Sequence, residues 1–332
     1  MNIFFFFLFF PCLIFSHNIV FVHLGNSPPP SIFTSMKQAR FLNQDCDIYL
    51  LTDKGGYLYF QTGHEKFFAD EYITLIDAGQ LPITEEHATF HNINQLDGFW
   101  SYATERFFSL FDFIKAQNLI DIVHLENDSM LYLDLDELYP LFKKFDTRLA
   151  APFQSLKGCI PCFVFIKDSE SLAYLIEHIL SEMGNYHGTN AYIAINDMQT
   201  LASFYVKFGG DYLTPLPTLM PEYALYHHKR KSLFSPDNFT PLKFLSQNSS
   251  LFTDYIFDAA GLGIFLNSKK QIHFRSLFTP HFFSYSWGED SKGRTVPYLS
   301  FKGKKYQIVN LHFPSKAPEE FTSFLPFRKE LL

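Results

Sequence analysis

Short apolar strands that alternate with amphipathic helices constrain the fold of this chain most strongly. The run from Asn18 to Leu24 is β-branched and aromatic and ends at Gly25, which is typical of a buried strand. Residues 31–43 have apolar side chains at helical spacing, and Asp47 to Thr52 is a second strand. This order predicts parallel strands joined by a crossover helix. The expected fold class is therefore α/β, with a Rossmann-like, mostly parallel central sheet flanked by helices.

The rest of the chain continues this alternation. We predict a long helix over residues 99–118, a third strand over residues 122–125, and another helix over residues 196–208. The proline-containing stretch 213–222 is predicted to be a loop, and residues 304–311 a late strand. Ligands of such sheets bind outside the carboxyl ends of the strands, so residues that follow a strand are candidates for a binding site.

Composition limits the class of protein. The 332 residues are 47% hydrophobic, which is enough for a sizeable core. No Gly-rich or Ser-rich linker divides the chain, so we expect one compact domain over residues 17–332. The formal net charge of -7 argues against nucleic acid as the main partner. A nucleotide bound through a metal ion remains possible, because the ion supplies positive charge.

The first 16 residues have three possible interpretations. Residues 3–15 are almost wholly apolar but shorter than the roughly 20 residues that span a bilayer. They suit the core of a secretory signal, yet no Lys or Arg precedes them. A signal, a short membrane anchor and an apolar extension of the first strand are the alternatives. We favour the first two, and so a membrane-associated or secretory location over a cytoplasmic one.

Cys159 and Cys162 form a Cys-x-x-Cys motif. We find no second pair of ligands at a spacing that would complete a zinc site. A redox motif should follow a strand and open a helix, whereas an apolar stretch follows here. We therefore interpret the two cysteines as core or loop residues, with a redox or disulfide role as the alternative.

The strongest chemical signal is the segment Glu126-Asn127-Asp128, which directly follows the apolar strand 122–125. Two carboxylates at positions i and i+2 could bind a divalent cation, and hard oxygen ligands suit Mg²⁺ or Mn²⁺. Taken alone, the segment is better explained as an ordinary polar turn after a strand, which is a common pattern. A second pair, Asp134 and Asp136, is more simply explained by capping of the helix that follows.

The motif, the preceding aromatic helix and a downstream His–Lys pair together resemble the GT-A glycosyltransferases, which use nucleotide-sugar donors. The resemblance spans residues 19–316. It implies a single catalytic domain over residues 17–332, with a nucleotide-binding half (17–130) and an acceptor-side half (131–332). It implies that Glu126 and Asp128 form the acidic motif and that His312 completes the metal shell. It also implies that Arg106 contacts the donor and that Lys316 binds its diphosphate. Glu in place of the motif's usual first Asp departs from the family pattern, and metal binding would then rest mainly on Asp128 and His312.

Other residues could serve substrate binding or catalysis. The nucleotide base is expected near His23, Gly25 and Asp53, which follow the first two strands. An inverting transferase needs a carboxylate base, and Asp197 or Asp258 could serve, although each has a structural explanation as a helix cap or helix contact. A retaining enzyme needs no such base. Trp287 could stack on a sugar or belong to the core.

The sequence thus predicts a metal-dependent glycosyltransferase with a divalent cofactor, Mn²⁺ or Mg²⁺. Its partners would be a nucleoside diphosphate sugar and an unidentified glycan, lipid or protein acceptor. Residues 3–15 could add membrane association. A non-catalytic carbohydrate- or nucleotide-binding protein and a nucleotidyltransferase are the alternatives. A nucleotidyltransferase should show a Gly-rich phosphate loop or a second well-placed Asp pair, and the sequence has no G-x-G-x-x-G or Walker-type motif.

Overall fold

The structure is a computed structural model and describes residues 17–94, 96, 98–185, 196–230, 242–267, 283–313 and 321–324. The helices are α1 (Ser31–Leu42), α2 (Lys54–Gly63), α3 (Glu65–Asp70), α4 (Glu85–Ile93), α5 (Gly98–Gln117), α6 (Leu135–Lys144), α7 (Ser169–Asn185), α8 (Asp197–Phe208), α9 (Pro221–Arg230), α10 (Leu242–Leu245) and α11 (Gly261–Asn267). The strands are β1 (Asn18–His23), β2 (Asp47–Thr52), β3 (Ile73–Asp77), β4 (Ile122–Leu125), β5 (Ser129–Leu131), β6 (Leu149–Ser155), β7 (Gly158–Cys159), β8 (Phe163–Ile166), β9 (Leu213–Leu216), β10 (Tyr255–Ile256), β11 (Ser284–Glu289), β12 (Thr295–Phe301), β13 (Lys304–Ile308) and β14 (Asn310–His312).

The central sheet has the strand order β3-β2-β1-β4-β8-β6-β7, and β9 pairs with β6. Strands β3, β2, β1 and β4 are mutually parallel, whereas β8 is antiparallel to both β4 and β6. The fold is therefore α/β with a mostly parallel central sheet flanked by helices, as the sequence predicts.

Helices cover both faces of this sheet, and β1 shows how its side chains divide between them. Val20 and Val22 belong to the core cluster that includes residues of α5, α7 and α8. Ile19 and Phe21 belong to a second cluster, which includes residues of α1 and α6. Successive strand side chains point to opposite faces, so a strand buried on both sides is apolar throughout. That explains why β1 lacks the polar alternation of a surface strand.

Two smaller sheets complete the fold. Strands β10, β13, β12 and β11 form one in that order, and β14 pairs with β5 in the other. The connection from β12 to β13 turns at Lys302 and Gly303, whose φ angles are 50° and 83°. Positive φ at both central residues is the geometry of a tight hairpin.

The stretch 213–222 is not the loop expected from its prolines. Pro215 lies within β9, which pairs with β6 alone among the described strands and so forms an edge of the sheet. An edge strand tolerates proline because one side of its backbone needs no ladder hydrogen bonds. Pro221 is the first residue of α9, where a missing N–H costs nothing. Both prolines thus occupy positions that regular structure permits.

The expected strand over residues 304–311 is in fact two strands. The chain leaves the four-stranded sheet after Ile308 and pairs with β5 from Asn310 onward. Leu311 and His312 therefore lie beside β5 instead of extending β13.

No helix in the described part of the chain is both long and apolar enough to cross a membrane. The apolar segment 3–15 lies outside the described residues.

Candidate metal and donor site

The carboxyl ends of β2, β1 and β4 lie side by side in the central sheet. Each is followed at once by one of the polar segments singled out in the sequence: Asp53 after β2, His23 to Gly25 at the end of β1, and Glu126 to Asp128 after β4. This is the edge at which parallel α/β sheets bind ligands.

His312 reaches the same edge through strand pairing. The chain turns after Glu126, whose carbonyl accepts a hydrogen bond from the Ser129 N–H at 3.0 Å, and then forms β5. β14 runs antiparallel to β5, with His312 opposite Ser129. The N–H of Phe313 donates to the carbonyl of Asp128 at 3.0 Å. Backbone pairing therefore holds His312 against the acidic motif.

Glu126, Asp128 and His312 converge on one spot. Nε2 of His312 lies 3.1 Å from Oε2 of Glu126 and 3.2 Å from Oδ1 of Asp128. One ligand atom from each side chain lies within 4.8 Å of the other two. Burial lowers the pKa of His312, but the carboxylates of Asp128 and Glu126 outweigh burial and raise this pKa well above its usual value. The two carboxylates therefore favour the imidazolium form of His312.

Arg106, on α5, bridges the motif and the start of α8. Its Nη1 donates to Oε1 of Glu126 at 2.5 Å, and its Nη2 donates to Oδ2 of Asp197. Burial disfavours the charged guanidinium, but Glu126 and Asp197 outweigh burial and raise the pKa of Arg106. Burial likewise opposes the charge of Glu126, but Arg106 and His312 lower the pKa of Glu126 well below its usual value.

Asp197 is buried, and its carboxylate has partners on two elements. Oδ1 accepts the N–H of Met198 at 2.8 Å, while Oδ2 accepts from Arg106. Burial raises its pKa. The cap of α8 is the preceding residue Asn196, whose Oδ1 accepts the N–H of Gln199 at 2.9 Å. Asp197 is therefore not the cap of α8, and its carboxylate holds the guanidinium of Arg106.

Asp258 lies beneath His312 and not at the surface. Its carboxylate accepts three backbone N–H groups, from Leu262 at 2.8 Å, Gly263 at 2.8 Å and His312 at 3.0 Å. The residue is 1% exposed, and burial raises its pKa. These bonds tie the start of α11 to β14, so Asp258 makes the helix contact that the sequence offered as its structural explanation.

Gly263 permits that contact. A Cβ on Gly263 would lie 1.9 Å from the carbonyl oxygen of His312, which belongs to the backbone and cannot rotate away. We expect Gly263→Ala to lower the free energy of unfolding by about 1–3 kcal/mol, the usual cost of overpacking. Urea denaturation measures the change.

Gly184→Ala is the matched control, because Gly184 is also helical and a Cβ there meets nothing within 4 Å. This change should leave stability unchanged or raise it by up to about 1 kcal/mol. A Gly263→Ala protein as stable as the wild type would contradict the close approach.

His23, Gly25 and Asp53 lie together beside the motif. Oδ2 of Asp53 accepts the N–H of Gly25 at 2.7 Å, and its Oδ1 accepts the N–H of Gly56 at 2.9 Å. His23 is buried, which lowers its pKa, and its Nδ1 lies 3.2 Å from Nδ2 of Asn127. The middle residue of the motif thus contacts β1, while its two carboxylates face His312.

Two further predicted residues are less informative. The partly buried ring of Trp287 packs edge-on against Tyr132 and Tyr285, with ring centroids 5.8 and 6.1 Å away. These contacts place it against the core, and its predicted stacking on a sugar stays a prediction. Lys316 lies outside the described residues.

Aromatic residues at the start of α5 are exposed, which the sequence did not predict. Phe99 is 73% exposed, Tyr102 46% and Trp100 39%. A ring carbon of Tyr102 lies 3.6 Å from the position that a Cβ on Gly25 would take. The helix was predicted, but the aromatic residues looked like part of its buried face. Their position within the first five residues of α5 was the available signal.

The cysteines are core residues. Cys159 and Cys162 are buried free thiols, and burial raises both pKa values well above the usual value. Sγ of Cys162 donates to the carbonyl of Asp258 at 3.1 Å and accepts from Asn310 at 3.4 Å. A Cys159–Cys162 disulfide is absent from the structure.

A surface cavity of about 300 Å³ lies elsewhere. Its lining includes Asp121, which precedes β4, and Lys167, which follows β8, so it is at the opposite end of β4 from the motif. None of the predicted site residues lines it.

No protein-family model matches the chain, and no curated protein sequence matches it. Solved structures do resemble it. The PaToxG glycosyltransferase aligns over 59% of this chain and 70% of its own, with 12% identity and a TM-score of 0.42. Mouse xyloside xylosyltransferase 1 aligns over 65% and 91%, with 10% identity and a TM-score of 0.43. The galactosyltransferase LgtC, solved with donor and acceptor sugar analogues, aligns over 69% and 83%, with 12% identity and a TM-score of 0.41. The likeness at these values is too slight to bear on the function of this chain, which is argued from the geometry of the site.

Proposed function

We propose that this protein is a metal-dependent glycosyltransferase that transfers a sugar from a nucleoside diphosphate sugar to an acceptor. The observation that carries the proposal is the convergence of Glu126, Asp128 and His312 at the carboxyl edge of a parallel sheet. These side chains come from positions almost 190 residues apart. An ordinary polar turn would not require a histidine from the end of the chain.

The donor set and the charges fit a divalent cation. Two carboxylates and one imidazole suit Mn²⁺, while Mg²⁺ would favour the oxygen ligands alone. The positive charge of Arg106 is balanced by the negative charge of Asp197. The carboxylates of Glu126 and Asp128 therefore leave two negative charges around Nε2 of His312. A divalent ion in place of the imidazolium proton would balance both. Glu126 reaches this spot directly, in spite of its longer side chain.

A bound cation would supply positive charge to the oxygens of the leaving diphosphate, whose charge grows as the glycosidic bond breaks. Asp128 is the most exposed of the three ligands, at 25%, and so faces the substrate side. Glu126 gives one oxygen to the ion site and one to Arg106. Lys316 is assigned, as a prediction, to the diphosphate.

The buried residues around the site position its ligands. Arg106 and Asp197 hold Glu126, and Asp258 holds the backbone of His312. We assign Asp197 and Asp258 these positioning roles in place of the base role suggested from the sequence, because other groups already occupy their carboxylates. The proposal therefore includes no carboxylate base.

The nucleotide base would lie at the end of β1, near Gly25. The exposed ring of Tyr102 adjoins Gly25 and offers a flat apolar surface for stacking. Asp53 holds the backbone of Gly25 in place, and the buried His23 supports Asn127. The donor would then extend from Tyr102 across β1 to the ion site after β4.

A thermal-shift experiment tests this function without knowledge of the acceptor. The protein is heated with uridine, guanosine, adenosine, cytidine or thymidine diphosphate, each with Mn²⁺ and with a chelator. We expect at least one nucleotide to raise the melting temperature only when Mn²⁺ is present, because ligands that bind the folded state stabilise it.

The responding nucleotide is then supplied as a sugar donor, and release of the free nucleoside diphosphate is measured with and without Mn²⁺. Slow metal-dependent hydrolysis of the donor supports the proposal. Absence of a thermal response to every nucleotide would contradict it and favour a carbohydrate-binding module.

A further inference from the structure

A second group of metal-ligating side chains lies on α4 and α5. His87 and His91 are four residues apart on α4, so both project from the same helix face. Oε1 of Glu105, on α5, lies 3.8 Å from Nε2 of His87 and 4.0 Å from Nε2 of His91. One ligand atom from each lies within 4.8 Å of the other two. Three ligand atoms thus surround a second ion-sized space, made of residues that the proposed donor site does not use.

Asp112 fixes the ring of His87. Its Oδ2 lies 2.5 Å from Nδ1 of His87, and its Oδ1 accepts the N–H of Thr84 at 3.0 Å. This contact leaves Nε2 of His87 as the nitrogen that faces Glu105. In metal-binding histidines, the ring nitrogen that does not bind the metal usually donates to a carboxylate. This hydrogen bond sets the ring orientation and makes the other nitrogen more basic.

The nitrogen that faces the space has no hydrogen-bond partner among the described residues. His87 is 6% exposed, and its Nε2 is buried without a hydrogen bond among the described residues. The distance of 3.8 Å from this nitrogen to Oε1 of Glu105 is too long for a hydrogen bond. Buried polar atoms nearly always have a hydrogen-bond partner. A buried nitrogen without one, next to two further metal-ligating side chains, therefore suggests that the space binds an ion.

We propose that His87, His91 and Glu105 bind a divalent transition-metal ion of the zinc type, with Asp112 as a positioning residue. Tetrahedral coordination at 2.0–2.1 Å requires ligand atoms roughly 3.4 Å apart. The two distances to Glu105 therefore need to close by less than ~1 Å. The side chain of His91 is 47% exposed, so it is free to adjust and to leave a fourth position open to water. The bound ion links α4 to α5.

Histidine binds a metal ion in its deprotonated form, so the affinity of such a site rises with pH. The test is therefore made at pH 8.

Zinc titration in an Asp128→Ala background tests the second site apart from the donor site. Chelator-treated protein is titrated with Zn²⁺ by calorimetry, and with Co²⁺ to read the visible absorption of a bound ion. We expect one Zn²⁺ per chain in this background, and a higher melting temperature once it is bound. Adding His91→Ala should weaken Zn²⁺ binding at least ~100-fold, because loss of a residue that only hydrogen-bonds to a metal ligand already lowers metal affinity by about 10–100-fold.

Asn92→Ala is the matched control, because Asn92 is exposed on the same helix next to His91. It should leave zinc affinity and the Co²⁺ spectrum unchanged. Glu105→Gln keeps the size of the side chain, removes a carboxylate ligand, and should weaken binding like His91→Ala. Zinc affinity that is absent in the Asp128→Ala protein, or equal with and without His91→Ala, would overturn the proposal. Neither result depends on whether the protein transfers sugar.

Discussion

Asp128→Ala should abolish Mn²⁺-dependent stabilisation by the nucleoside diphosphate and reduce donor cleavage by about 10³-fold, which corresponds to ~4 kcal/mol of transition-state stabilisation. The substitution removes the most exposed carboxylate of the ion site, and Glu126 and His312 remain as two ligands that also bind each other. A metal ion held by two ligands is both weaker and less well placed against the diphosphate.

The same substitution should leave the fold intact. Asp128 is 25% exposed, and its backbone carbonyl, which binds the Phe313 N–H, is retained in alanine. Asp70→Ala, at the exposed end of α3, is the control for loss of one surface carboxylate. Both variants should unfold cooperatively, and Asp70→Ala should cleave donor at the wild-type rate. Wild-type cleavage by Asp128→Ala would remove the metal assignment.

The sequence sufficed to predict the elements whose side-chain pattern is set by local burial. β2 spans Asp47–Thr52 and β4 spans Ile122–Leu125, as expected, and α5 differs from the expected helix by one residue at each end. These strands lie inside the sheet and these helices pack on it, so their apolar periodicity is continuous. Where burial determines the pattern, the sequence displays it directly.

Elements at the margin of the sheet escaped prediction. β3 is the edge strand beyond β2, and it is only partly buried beyond its first residue, Ile73. β9 contains a proline that only an edge position permits. Edge strands have mixed exposure and admit breaking residues, so neither hydrophobic alternation nor turn chemistry identifies them.

The juxtaposition in the donor site could be predicted only through the family resemblance. Local patterns place Asp128 and His312 at strand ends, but the contact depends on a break after Ile308 that moves β14 to β5. No residue type marks that break. The proposed zinc site was not predicted from the sequence. The spacing of His87 and His91 is visible there, but α4 itself was not predicted, and Glu105 lies on the next helix, α5.

Arg106→Met should destabilise the protein by about 3–5 kcal/mol, the largest stability loss expected from a single change here. The guanidinium is 11% exposed and bridges Glu126 and Asp197, whose side chains are 17% and 5% exposed. Methionine fills a similar volume but leaves both carboxylates without their cation, and a buried unpaired charge costs more than the pair contributes. Urea denaturation at pH 7 measures the loss.

The deficit should shrink in acid, and this dependence separates lost charge from lost packing. Although burial opposes it, Arg106 and His312 depress the pKa of Glu126 in the folded state. The contribution of this group to stability is therefore fully present above the usual value of 4.5 and is lost progressively as pH falls from 4.5 toward the depressed pKa. Because Arg106→Met removes much of that contribution, the two proteins should differ most at neutral pH, and the deficit should begin to shrink below pH 4.5 and be clearly smaller at pH 3. Lys115→Met, at an exposed position of the same helix, should change stability by less than ~0.5 kcal/mol at either pH. A deficit that is the same at pH 3 and pH 7 would mean that Arg106 stabilises through the packing of its stem and not through its charge.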